Sequence, residues 1–151
     1  MYHGNHLAEK LRAASLGAES NLFLRNHQTG KDISYKAFFA NAERMAKALV
    51  ASGVKPGDRV AVQVPKTQAM LELYVGTVLA GAVFLPLNTA YTAAEITYFL
   101  TDAEPRLFVC DPNFKAELSA VARGAGVAEL LTIGAVENES VSYTHRTLPT
   151  I

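Results

Sequence analysis

The chain has 151 residues, half of them hydrophobic, and its 14 Lys plus Arg balance 14 Asp plus Glu for a net charge of zero. Neither sign gathers into a long block, so the sequence offers no electrostatic footprint for nucleic acid or an anionic membrane surface. A single cysteine, Cys110, rules out an internal disulfide, and the start lacks the pattern of a secretory signal, so the expected setting is a reducing cytoplasm.

In chain order, residues 5–15 place Leu7, Leu11 and Ala14 at i, i+4 and i+7, the spacing of a short amphipathic helix. Two short strands, 21–26 and 31–34, flank His27-Gln28-Thr29-Gly30, which has the turn chemistry of an antiparallel hairpin. Ser34 is placed to cap the next helix, in which Phe38, Ala42, Met45 and Leu49 share a face beside Phe39, Ala46 and Val50. Gly53 ends it, and Lys55-Pro56-Gly57-Asp58 makes a turn into a strand at 59–64 with Val60, Val62 and Val64 on one face.

A helix at 67–80 and an apolar strand at 83–87 follow. The stretch 73–94 has no charged residue, but a spanning helix needs about 20 predominantly apolar residues. Gly76, Gly81 and Pro86 interrupt this one, and it turns polar at Asn88 and Thr89, so it reads as a buried helix and a buried strand with no membrane span. Thr92 with Glu95 three residues on forms a capping box for the next helix. A strand at 106–111, a helix at 113–123 ended near Gly124 and a strand at 129–133 complete the pattern.

Strands alternating with helices of this length predict parallel βαβ units in a doubly wound α/β sheet, with the short antiparallel hairpin at its start. Near-continuous apolar strands such as Val83-Phe84-Leu85 predict cover on both faces. The domain is expected over 1–136, with 137–151 an unstructured tail outside it, because residues from Glu137 onward show no periodicity.

Ligands of open α/β sheets bind beyond the C-terminal ends of the strands, which here points to Lys66, Asn88, Thr89, Tyr91, Asp111 and Asn113. Each has a structural reading beside the functional one. Asn88 and Thr89 can satisfy loop backbone groups, and Asp111 can cap the helix that follows it. Neither a G-x-G-x-x-G turn nor a P-loop occurs, the four histidines lack partners at metal-ligand spacing, and Cys110 reads as a small buried hydrophobe. These patterns alone select no catalytic, cofactor-binding or metal-binding residue.

Ile33-Ser34-Tyr35-Lys36 and then Gly53-Val54-Lys55-Pro56-Gly57-Asp58-Arg59-Val60 resemble the opening of adenylate-forming acyl-CoA synthetases, the AMP-dependent synthetase/ligase family. The continuous run from Tyr74 to Tyr91 resembles the malonyl-CoA synthetases of that family in particular. Tyr98-Phe99, Asp102-Ala103-Glu104-Pro105 and Val109-Cys110-Asp111-Pro112 extend the likeness, which spans residues 21–134. It implies an N-terminal portion of a two-step ligase, in which ATP and a small carboxylate give an acyl-adenylate and diphosphate, and CoA then displaces AMP. ATP, magnesium and CoA would be the parent enzyme's cofactors and partners.

The family holds the phosphates with a Ser/Thr/Gly-rich loop ending in Lys-Gly and relies on a downstream Tyr-Gly-x-Thr-Glu segment, a ribose-contacting Gly-Asp and a C-terminal lysine. None of these is in this sequence, so the resemblance transfers no catalytic or nucleotide-binding residue, and the chain alone is expected to be inactive. Residues 140–151 depart from the family and resemble translated sequencing-adapter DNA, which makes a non-native tail the expectation there. The competing reading is a non-enzymatic α/β module that binds a small molecule or a protein at its strand ends.

Overall fold

A computed structural model describes residues 6–27 and 30–134; two of the expected turn residues, 28 and 29, and the expected tail lie outside that set. The elements are α1 (His6–Ser15), β1 (Leu22–Arg25), β2 (Asp32–Ser34), α2 (Tyr35–Ala51), β3 (Arg59–Gln63), α3 (Gln68–Leu79), β4 (Val83–Pro86), α4 (Ala93–Ala103), β5 (Leu107–Cys110), α5 (Lys115–Gly124) and β6 (Leu130–Thr132).

Side-chain caps set where the helices begin, because the first N–H groups of a helix have no partner inside it. Ser34 Oγ accepts from the Ala37 N–H at 3.2 Å and Thr67 Oγ1 from that of Met70 at 3.3 Å. At α4 the box is reciprocal: Thr92 caps the Glu95 N–H, and Glu95 Oε2 accepts the Thr92 N–H at 2.8 Å. Asp111 does the same at a different element, since a 3-10 turn at Pro112–Phe114 precedes α5, where the sequence pattern predicts a continuous helix from 113.

β1 and β2 pair antiparallel, while β3 to β6 form one parallel sheet in the order β4-β3-β5-β6. The even-odd alternation of β3 and β5 sends side chains to both faces. On one face Val60, Val62, Leu107 and Val109 pack under Met45, Leu49 and Leu73 of α2 and α3. On the other, Ala61, Phe108 and Cys110 meet Ile96 and Leu100 of α4 and Leu118 of α5. Burying each large apolar side chain in these layers contributes about 1.5–3 kcal/mol. A third cluster lies on the outer side of α2 and α3, where Ala8 of α1 and Ile33 of β2 join Phe38, Ala42, Val75 and Val78.

Two expectations shift in this frame. Cover on both faces belongs to β5, buried at all four positions, whereas Val83 of β4 is 50% exposed because, among the described residues, its strand pairs on one side. That edge position explains Pro86. The N–H groups of Val83 and Leu87 reach β3, to Asp58 O and Val62 O, so position 86 faces the open edge, where a missing donor leaves no gap in the ladder. In α1 the inward residues are Ala8 and the half-buried Leu11, while Leu7 is exposed; the helix lies on other helices through a small contact, and Arg12 fastens it to Glu43 at 2.7 Å.

Between α2 and α3 the packing leaves no room at Gly76. A Cβ there would stand 2.7 Å from Met45 Cβ and 2.8 Å from the Ala42 carbonyl oxygen. One turn away the same interface holds a polar contact: Glu72, fully buried, accepts from Asn41 at 2.8 Å and Gln68 at 2.6 Å through Oε1. Its Oε2 has no partner among the described residues. Among those residues no helix is long and apolar enough to cross a membrane.

Candidate functional site

The sheet order reverses between β3 and β5: the chain leaves β3 toward β4 on one side and leaves β5 toward β6 on the other. At such a switch point the two outgoing connections diverge and open a crevice beyond the strand ends. A cavity of about 150 Å³ lies there, lined by Gln63, Pro65, Thr89, Tyr91, Asp111 and Glu117, with Ile96, Phe114 and Leu118 closing its apolar side.

Of the six positions expected from the sequence, Thr89, Tyr91 and Asp111 line this cavity; Lys66, Asn88 and Asn113 do not. Asn88 is spent on its loop, its Oδ1 accepting the Ala90 N–H at 3.0 Å and its carbonyl accepting from Gln63 Nε2 at 2.9 Å. Asp111 Oδ1 accepts the Asn113 N–H at 2.8 Å, so the capping role holds while the residue also borders the cavity. The ring of Tyr91 stacks on Phe99 of α4 with centroids 5.0 Å apart, which fixes one wall.

Gln63, Phe114 and Glu117 escaped the sequence reading. Gln63 had a visible signal, a polar residue ending the apolar strand Val60-Ala61-Val62, and it is 94% buried by the complement of its 6% exposure. Phe114 and Glu117 had none, because the 3-10 turn sets their direction.

This cavity of about 150 Å³ carries two carboxylates in its lining, Asp111 and Glu117. Small-molecule pockets run to about 300–1,000 Å³, and carboxylates repel phosphate oxygens. These residues therefore do not fit a nucleoside triphosphate. Cys110 beneath them is no nucleophile either: burial pushes its thiol up to about 12, leaving the thiolate unpopulated near neutral pH. Among the described residues no cluster of three or more His, Cys, Asp or Glu is arranged to hold a metal ion.

The family described as AMP-binding enzyme matches residues 12–147. Feruloyl-CoA synthase of an Amycolatopsis species is 35% identical over 95 residues, 63% of this chain and 19% of that protein. A fatty acid–[acyl-carrier-protein] ligase, ScoC of Streptomyces coeruleorubidus, is 33% identical over 85 residues, 56% of this chain and 16% of its own length. Among solved structures, MatB from Rhodopseudomonas palustris superposes with a TM-score of 0.77 at 43% identity, over 85% of this chain and 25% of MatB. This chain thus spans about a quarter of the solved chain and under a fifth of those two relatives. The family match and the superposition agree, and the chain belongs to the AMP-binding enzyme family.

Proposed function

We propose that the chain is the N-terminal, scaffold-forming part of an ATP-dependent carboxylate–CoA ligase whose acid is malonate or a similar small acid. The observation that carries the choice of acid is a contrast in identity at one fold. MatB, a malonyl-CoA synthetase, is 43% identical, whereas a benzoate CoA ligase from Burkholderia xenovorans is 25% identical at a TM-score of 0.73. MatB has also been solved with ATP bound.

In this reading the parent enzyme converts the acid, ATP and CoA to acyl-CoA, AMP and diphosphate in the cytoplasm, with magnesium accompanying the nucleotide. The phosphates and the developing charge in such a reaction need positioned donors and cations. The small, carboxylate-bearing cavity at the switch point offers the hydroxyls of Thr89 and Tyr91 as donors but has no cation in its lining. What β3 to β6 and their helices supply is a rigid sheet on which later segments would be built.

The test starts at the gene. Sequence downstream of residue 134 in the genomic locus is expected to encode a Ser/Thr/Gly-rich loop ending in Lys-Gly, and the product of the whole reading frame should form AMP from ATP and CoA with malonate in preference to benzoate. A native stop codon directly after residue 151, or a full-length product that prefers benzoate, would contradict the reading.

A further inference from the structure

A second cavity lies at the other end of the sheet. It is a groove of about 680 Å³ where the last turns of α2 and α3 meet the loop into β3. Ala46, Val50, Val54, Pro56, Leu79 and Ala80 make its surface apolar. Val50 is 55% exposed within it, a large aliphatic group facing water on an otherwise well-packed helix.

Two lysines and one carboxylate, Glu43, line the groove beside its apolar wall. Lys47 lies one helical turn before Val50 and Lys55 directly follows Val54, and neither ammonium makes an ion pair among the described residues, the nearby Asp58 carboxylate being engaged by the Lys55 backbone N–H at 2.8 Å. The carboxylate on the rim, Glu43, is already engaged by Arg12 at 2.7 Å. The volume falls in the range of small-molecule sites, about 300–1,000 Å³, which join apolar walls to a few polar groups that orient the ligand. An apolar wall flanked by two unpaired ammonium groups is complementary to an apolar tail ending in an anionic head.

We propose that this groove is a binding site for an amphiphilic carboxylate, its alkyl tail along Val50, Val54 and Leu79 and its carboxylate between Lys47 and Lys55. The site is separate from the strand-end crevice and does not depend on which acid the parent ligase activates.

Titration of the 15N-labelled chain with sodium decanoate tests it. Saturable shifts are expected at residues 46–56 and 79–80, with affinity rising about fourfold per methylene from octanoate to decanoate. Decyltrimethylammonium, with the same tail and the opposite charge, should bind about tenfold more weakly, and K47E/K55E should reverse that order. V50E should abolish binding of both. Equal affinity for the two head groups in the unmodified chain overturns the proposal, whatever the variants do, as does a chain too poorly folded to give localised shifts. Concentration-dependent dimerisation relieved by V50E would assign the groove to a second copy. Loss of decanoate binding in the product of the whole reading frame would assign it to the parent's own chain. Either result also overturns the proposal.

Discussion

Gly76 shows how a single residue decides the distance between two helices. In an exposed helix an alanine would be about 1 kcal/mol better than glycine, but here its Cβ would meet Met45 Cβ at 2.7 Å and the Ala42 carbonyl at 2.8 Å. Neither atom sits at the end of a flexible side chain, so overpacking of about 1–3 kcal/mol exceeds the propensity gain. Gly76→Ala is therefore expected to lower the midpoint of urea unfolding, and an unchanged or raised midpoint would show that α2 and α3 can separate at little cost. Cys110 gives a second reading at this scale. With its thiol pushed up to about 12 by burial, it should resist iodoacetamide at pH about 8 in the folded chain and react in urea. Equal labelling in both conditions would place β5 outside the core.

Among the elements, α4 is the one whose start is fixed most completely by side chains. Removing the Thr92 hydroxyl takes away the group that accepts the Glu95 N–H, so Thr92→Ala should cost about 1 kcal/mol by urea unfolding. Glu95 adds a pH dependence. The Thr92 N–H, and then its hydroxyl, hold the carboxyl below its ordinary value of 4.5. A group with a depressed folded value contributes stability that is present above 4.5 and is lost as pH falls through that folded value. The loss on going from about pH 6 to about pH 3 should be smaller in Glu95→Gln than in the unmodified chain. An identical acid dependence would mean that the reciprocal bond does not persist in solution. Signals of this local kind, caps at Ser34 and Thr92 and stops at Gly53 and near Gly124, are why the helices and strands could be read from the sequence. Strand order is not local: Val83-Phe84-Leu85 and Leu107-Phe108-Val109 look alike as sequence, yet one lies at an edge and the other in the centre of the sheet. The crevice divides the same way. Thr89, Tyr91 and Asp111 follow strand ends and could be anticipated, whereas Phe114 and Glu117 depend on a 3-10 turn, and the Asn41–Glu72 contact joins residues 31 positions apart.

For the whole molecule, the family assignment and the geometry of the site make complementary statements. A match over residues 12–147 and a TM-score of 0.77 to MatB identify the fold, while the strand-end cavity of about 150 Å³ with its two carboxylates does not fit the nucleotide of the proposed parent reaction. Among the described residues β4 also has an open edge, with Val83 half-exposed and Tyr74 of α3 part-exposed against Phe84, a surface that favours association. Size-exclusion chromatography of the isolated chain is accordingly expected to show reversible self-association that grows with chain concentration; a monomer at every concentration would count against it. The central claim is that this chain carries the scaffold of a carboxylate–CoA ligase and not its chemistry. Diphosphate release from ATP by the purified chain, with CoA, magnesium and malonate supplied, tests that claim most directly. The account predicts release no faster than in the absence of malonate, and malonate-dependent release would contradict it.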